Sequence, residues 1–436
     1  MLMNNKEKNI VPQLRFPEFV EDVEWNIDKF SSFIKLYRGS SPRPISQFLT
    51  KDENGVNWIK IGDTKNAVGF KISKVEEKIT TEGSKKSRKV KKGELILANS
   101  MSYGATYELK IEGCIYDGWF VLREYEDSFD KQFLLQLLNS DFLQIQYKRL
   151  AAGGIVQNIS SEIVYNTLLP KFSIKEQQKI AACLSSLDEV INAETEKLEL
   201  LQDHKKGLLQ HLFPQEGETQ PKYRFPEFKN GGDWKEVALG DLVEIKGRIG
   251  YRGYTVKDIV KKGEGAITLS PSNFDDNGKL NFDKSTYISW DKYNESPEIM
   301  LEEGQTVLVK TASVGKSAYV ENLPEKTTVN PQIVVLKPKK IQPKFLSYTI
   351  FHNYVQNQIR NTVGAGAIPN MSQASISKLK ILLPPSKGEK EQQKIADCLS
   401  SVDNLIEAQS QKIEDLENHK KGLLQQLFPN INDVVV

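Results

Sequence analysis

Arginine, lysine, serine and asparagine gather in short glycine-punctuated stretches at matching points of the two halves of this 436-residue chain. The first half carries Arg38-Gly39-Ser40-Ser41-Pro42-Arg43, Lys60, a basic run from Lys85 to Lys92, and Asn99-Ser100-Met101-Ser102-Tyr103. The second carries Lys246-Gly247-Arg248-Ile249-Gly250-Tyr251-Arg252, Ser272-Asn273, Lys310-Thr311-Ala312-Ser313 and Lys316. Such stretches suit a nucleic acid. Lysine and arginine meet phosphates, arginine, amides and hydroxyls read base edges, and glycine lets the backbone come close. Candidate contacts in the first half are therefore Arg38, Ser40, Arg43, Lys60, Lys85, Lys86, Arg88, Asn99, Ser100 and Tyr103. In the second half they are Lys246, Arg248, Tyr251, Arg252, Ser272, Asn273, Lys310, Thr311, Ser313 and Lys316. Each stretch alone also fits an ordinary solvated face, and only the parallel placement links them. The glycine turns before Asn158 and Asn370 read as backbone turns rather than contacts.

Catalytic chemistry is missing from the pattern. No Asn/Asp-Pro-Pro-Tyr/Phe motif of amino-methyltransferases occurs; Asn330-Pro331-Gln332 and Leu383-Pro384-Pro385 do not match. Lys310 to Ser317 ends like a phosphate loop but has lysine where the first glycine must turn. Glu108-Leu109-Lys110 fits the tail of a nuclease pattern, but no Pro-Asp dipeptide precedes it. The four histidines show no metal-ligand spacing with the three cysteines. A non-catalytic protein is the expectation.

Composition bounds the class. At 39% hydrophobic and 27% charged residues, with a net charge of +2, the chain fits a globular protein of two or more domains. No window approaches the roughly 18 apolar residues of a membrane span. The polar N-terminal stretch lacks a secretory core, and Cys114, Cys183 and Cys398 read as free thiols in a reducing compartment. These features point to the cytoplasm.

The elements that must position the basic loops are duplicated. Residues 176–214 and 391–429 align without a gap, with about two-thirds of positions identical. Each copy has an apolar seam at steps of three and four: Ile180, Leu184, Leu187, Ile191, Leu198 and Leu201 in the first, Ile395, Leu399, Val402, Ile406, Ile413 and Leu416 in the second. That is a heptad pattern sustained for roughly five heptads, and a helix with one narrow apolar stripe needs another helix to cover it. The seams break at Glu194, Lys205, Gln409 and Lys420, which either fix register or sit solvated where the pair splays. Ser173 with Glu176, and Ser386 with Glu389, form capping-box patterns, while Leu-Phe-Pro ends each helix. Gly207 and Gly422 should weaken the last turns by about 1 kcal/mol each.

A shorter repeat introduces each half: Arg15-Phe16-Pro17-Glu18-Phe19 with Trp25, and Arg224-Phe225-Pro226-Glu227-Phe228 with Trp234. Between lead-in and helix lie dissimilar segments with aligned landmarks. The strand Gly93 to Ala98 parallels Gly304 to Val309, Gly118 to Leu122 parallels Gln332 to Leu336, and helical stretches Phe133 to Arg149 and Phe345 to Arg360 follow. The expected fold is α+β. Two α/β domains in tandem are separated by two long helices pairing as an antiparallel coiled coil with a pseudo-two-fold. The divisions are 1–172 and 215–386 for the domains, 173–214 and 387–436 for the helices.

Taken together, the duplicated architecture, the Leu-Pro strand followed by Glu-Gln-Gln-Lys-Ile-Ala, the Lys-Lys-Gly-Leu-Leu-Gln-x-Leu-Phe endings and the strand at 93–97 resemble the DNA-specificity subunit of type I restriction–modification enzymes over essentially the whole length. Gln305 departs mildly, standing where the family prefers an acidic residue. The resemblance implies that each globular segment is a target-recognition domain reading one half of a bipartite, asymmetric double-stranded DNA site. It implies that the helices set the gap and dock two modification (methyltransferase) subunits, with restriction (translocase and endonuclease) subunits joining. S-adenosylmethionine, ATP and Mg2+ would belong to those partners, with no cofactor in this chain. A helix of about 37 residues spans roughly 55 Å, compatible with grooves about one turn apart. Two alternatives stay open: a related system with a fused restriction–methylation partner, and a coiled-coil scaffold without DNA.

Overall fold

The structure, a computed structural model, describes residues 11–100, 104–151, 158–249, 252–275, 277–363, 369–385 and 388–428. It divides into two compact units, one holding the chain up to Glu196 together with the chain from Ser410, the other holding Lys197–Gln409. Both unit boundaries fall inside the long helices.

In the first unit the strands are β1 (Asn26–Lys29), β2 (Lys35–Arg38), β3 (Leu49–Thr50), β4 (Val56–Ile59), β5 (Lys71–Ile72), β6 (Glu77–Ile79), β7 (Arg88–Val90), β8 (Leu95–Ala98), β9 (Thr106–Leu109), β10 (Gly113–Ile115), β11 (Trp119–Arg123) and β12 (Leu168–Lys171). They form a β1-β12 pair, a sheet ordered β2-β11-β8-β9-β5, and a sheet ordered β3-β6-β4-β10-β7. Side chains alternate across a strand. Leu95 and Leu97 of β8 and Phe120 and Leu122 of β11 therefore enter one core with Phe133, Ile180, Leu184 and Phe428. Ile96, Ala98, Trp119 and Val121 enter a second core with Ile59 and Ile115. A sheet covered on both faces is what the unbroken apolar run of β8 requires.

The second unit repeats this plan with β13 (Lys235–Ala238), β14 (Val243–Gly247), β15 (Ile259–Val260), β16 (Gly265–Leu269), β17 (Thr286–Ser289), β18 (Thr306–Val309), β19 (Ser317–Tyr319), β20 (Thr327–Val329), β21 (Ile333–Pro338) and β22 (Lys380–Leu383). Its sheets run β13-β22, β14-β21-β18-β19 and β15-β17-β16-β20. The parallel pair β16–β20 matches the parallel pair β4–β10. Leu308, Val334 and Leu336 face one core, while Val307, Val309, Ile333 and Val335 face the other. The helical stretches after β11 and β21 each split in two, as Lys131–Asn139 with Asp141–Ala151 and Pro343–Phe351 with Asn353–Val363.

The long helices are Ile174–Leu212 and Gly388–Leu427, of 39 and 40 residues. Within the first unit, Asp188 pairs with Lys420 at 2.5 Å and Glu194 with Lys412 at 2.5 Å. One helix ascends as the other descends, so these segments are antiparallel. Within the second unit, Lys205 pairs with Asp403 at 2.6 Å, and Leu209 and Leu212 share a core with Ile395 and Leu399. Those segments too run antiparallel. The seam is buried at Ile180, Leu184, Ile395, Leu399 and Val402, and half-buried at Leu187, Ile191, Leu198, Leu201, Ile406, Ile413 and Leu416. Four of the buried positions, Ile180, Leu184, Ile395 and Leu399, also meet a globular core, which accounts for their fuller cover. Of the two readings of the polar seam positions, the solvated one does not hold. The side chains of Lys205, Lys420 and Glu194 are 13%, 15% and 17% exposed and ion-paired, and Gln409 is buried.

The two short sequence repeats turn out to be halves of one latch. Arg15 donates two hydrogen bonds to the Glu176 carboxylate at 2.8 and 2.9 Å, and Trp25 Nε1 adds one at 3.4 Å. Arg224 does the same to Glu391 at 2.7 and 2.8 Å. Lys179 pairs with Glu18, and Lys394 with Glu227. Gln177 Oε1 accepts from the Asp130 backbone N–H, and Gln392 Oε1 from that of Gln342, tying each long helix to the start of a shorter one. The capping box at Ser173 is accordingly only half made. Ser173 Oγ accepts from the Glu176 N–H, but the carboxylate is committed to Arg15. Ser386 lies outside the described residues. The first long helix continues through Gly207, with Leu209 and Leu212 buried beyond it.

Candidate nucleic-acid interface

In the first unit the predicted residues converge on the turn Tyr116-Asp117-Gly118, which joins β10 of one sheet to β11 of the other. Ser40 N–H donates to the Ile115 carbonyl, Gly39 N–H to Trp119, and Tyr116 N–H to Ile59, so the ends of β2, β4, β10 and β11 meet there. A Cβ on Gly39 would sit 1.9 Å from the Tyr116 carbonyl oxygen, so only glycine allows this approach. Arg38 Nε donates to the Asp117 carbonyl at 3.3 Å, and Asn99 Nδ2 to the same oxygen at 2.9 Å. Ser41 Oγ donates to Asp117 Oδ1 at 2.7 Å, and the Arg43 guanidinium lies 3.7 Å from Oδ2. Arg88 Nε donates to the Arg38 carbonyl, and Ser40 Oγ to that of Lys86. Arg38, Arg43, Lys85 and Lys86 are exposed, Ser40 and Arg88 half-exposed.

Three candidates in this unit have other roles. Lys60 is half-buried and ion-paired with Glu77 at 2.5 Å, so its charge is already answered. Asn99 is buried, and its amide holds the turn. Ser100 is half-buried and bridges Asn158 through the backbone, with its Oγ 3.4 Å from Tyr116 OH. Tyr103 lies outside the described residues.

The second unit builds the same bridge, Thr311 to Asn370, reinforced by Thr311 Oγ1 donating to Asn370 Oδ1 at 2.8 Å. Met371 N–H donates to the Lys310 carbonyl as Ile159 N–H does to that of Asn99. Asn158 and Asn370 are thus fastened to strand ends, while the glycine turns that precede them lie outside the described residues. Lys310, Thr311 and Lys316 are half-exposed and Ser313 exposed around this bridge. Arg248 is a correction. It is buried, donates to the Val329 and Arg252 carbonyls at 3.2 Å each, and burial pushes its pKa below the usual guanidinium value. In this structure it braces the loop from inside. Asn273 is likewise buried, its amide closing a turn between Ser270 and Asn281. Lys246 is half-buried beside Glu244 at 2.8 Å, and that carboxylate raises its pKa. Arg252 donates to the Glu295 carbonyl, and Ser272 is exposed with its Oγ 2.7 Å from Ser270 Oγ. Tyr251 lies outside the described residues.

The two bridged strand ends thus share one backbone plan with different side chains, whereas the long helices keep about two-thirds of their aligned residues identical. The profile of the type I restriction modification DNA specificity domain matches twice, over residues 22–203 and 231–418. The chain belongs to this family. Each match of the specificity domain takes in one globular segment and most of a long helix. Among similar proteins, the MjaVIII specificity subunit of Methanocaldococcus jannaschii is 23% identical over 439 residues, covering 97% of this chain and 96% of that one. The putative MjaX specificity subunit of the same organism is 25% identical over 334 residues, covering 74% and 73%. The S subunit crystal structure from M. genitalium shares the fold, with a TM-score of 0.57 at 16% identity, covering 97% of this chain and 100% of that one. A structure from a study of type I system assembly shares it at a TM-score of 0.59 and 18% identity, covering 93% and 98%.

Within this family frame Gln305 keeps one of the contacts made by the acidic residue at the equivalent position. Gln305 Oε1 accepts from the Glu302 N–H just as Glu94 Oε2 accepts from the Lys91 N–H. The amide oxygen supplies that acceptor, whereas the ion pair that Glu94 also makes with Arg123 at 2.7 Å needs a carboxylate. Sequence reasoning missed Asp117, the centre of the first face. Tyr-Asp-Gly marks a turn, but nothing local says that Arg38, 79 positions away, will reach it.

Proposed function

We propose that the chain is the sequence-reading subunit of a type I restriction–modification complex, working on double-stranded DNA in the cytoplasm. Each unit reads one half of a bipartite site, the long helices set the gap, and modification subunits dock on those helices. Restriction subunits join, and S-adenosylmethionine, ATP and Mg2+ enter with the partners. The supporting observation is where the repeat has stayed the same. Buried repeat positions have an internal reason to match, whereas exposed ones drift freely unless something outside reads them. Gln178 and Gln393, Ser186 and Ser401, His204 and His419, and Lys206 and Lys421 are identical pairs with every member exposed. Around the two bridged strand ends, by contrast, the side chains differ. A common partner for the helices and different targets for the two faces account for both facts.

The test is mapping of methylated adenines in cells carrying the complete system. Arg38→Ala with Arg43→Ala should degrade one half of the methylated motif and leave the other intact. Binding by the assembled complex should weaken with salt, as phosphate contact requires. An unchanged motif would remove this face from the reading.

A further inference from the structure

We infer that Asp117 reads a base in the first half-site, its carboxylate accepting a hydrogen bond from an exocyclic amino group (cytosine N4 or adenine N6) in the major groove. The inference rests on the proposed reading that this face meets DNA. A carboxylate is out of place among Arg38, Arg43, Lys86 and Arg88 if phosphates are the only ligand, because it repels them. A base-edge amino group is the DNA feature that rewards an acceptor there.

The division of labour within the residue supports this. The structural duties of the turn fall on the Asp117 carbonyl oxygen, which receives Arg38 Nε and Asn99 Nδ2. Among the described residues the carboxylate serves only the neighbouring loop: Ser41 Oγ donates to Oδ1 at 2.7 Å. Oδ2 faces the Arg43 guanidinium at 3.7 Å, too long for a hydrogen bond, and the side chain is 41% exposed. Lone pairs therefore remain on an oxygen whose orientation Ser41 holds. The corresponding turn of the second unit is Asn330-Pro331-Gln332, where the Gln332 carbonyl accepts from Lys310 N–H as that of Gly118 does from Asn99. It has no carboxylate, so the effect belongs to one half-site alone.

Asp117→Asn keeps an acceptor for Ser41 while exchanging one oxygen for a donor; Asp117→Ala removes both. Methylated sites would be sequenced for each variant in the assembled complex, alongside Arg38→Ala. The expected result is loss or exchange of one base preference in the first half-site, by roughly ten- to a hundredfold, with the second half-site unchanged. The motif position affected tells cytosine from adenine. An unchanged preference at every position in Asp117→Asn, with melting temperature preserved, would overturn the inference and leave Asp117 as a turn anchor only. Equal weakening of all sites would overturn it as well. If Arg38→Ala also leaves motif and salt-dependent binding untouched, the reading of the whole face fails; if Arg38→Ala perturbs that half-site and Asp117→Asn does not, only the inference about Asp117 falls.

Discussion

Arg15 and Glu176 show how one residue pair can explain a motif. Their side chains are 6% and 1% exposed, and the pair is bidentate. Two desolvated charges are tolerable only together, since removing one leaves the other buried without compensation. Arg15→Ala should therefore destabilise the first unit by about 3–5 kcal/mol. Adding Glu176→Gln should restore part of that by removing the stranded charge. Thermal melting of the full chain checks both, and a double variant no better than Arg15→Ala would contradict the argument. The two motifs were visible in the sequence as separate repeats. That they are one contact was not, because 161 positions separate the partners.

At the scale of elements, three of the four polar breaks in the helix seams, Glu194, Lys205 and Lys420, become ion pairs. Lys420 and Asp188 are 15% and 25% exposed in their side chains, and Gln136 Nε2 donates to the other Asp188 oxygen at 3.0 Å. Lys205 and Asp403 occupy the equivalent repeat positions in the second unit, with Tyr348 OH as the extra donor at 2.6 Å. A half-covered pair in this setting specifies alignment as much as it stabilises. Lys420→Asp should destabilise the first unit by placing two carboxylates together. Combining it with Asp188→Lys should recover a coupling of about 1–2 kcal/mol in denaturant unfolding. A coupling near zero would mean that the seam aligns through its apolar residues alone. The heptad spacing names the residues that a seam would use. It could not say that Leu187 and Ile413 would be only half-covered, since that depends on what else packs nearby.

For the whole molecule, the helices carry the proposal that the gap in the DNA site is a matter of length. Four residues inserted into one long helix add about 6 Å at about 1.5 Å per residue, close to two base-pair steps of about 3.4 Å. The methylated motif should then keep both half-sites and lengthen its gap. Retention of the old gap, or altered half-sites, would sink the idea that the helices measure it.

Duplication, the long helices, their apolar seam and the strands around them follow from spacing and repetition, which are local and periodic properties of the chain. The family follows from the same motifs. Folding alone decided which polar residues face outward. Arg38 and Arg43 stay exposed at the turn, whereas Arg248 and Asn273, drawn from equally polar stretches, are spent inside holding loops. Both kinds look alike in sequence, because a donor aimed at a carbonyl and a donor aimed at solvent differ only in what distant strands bring beside them. Asp117 joined the face for that reason: strand order set it against Arg38, Ser41, Arg43 and Asn99, and no residue near it in the chain foretold the meeting.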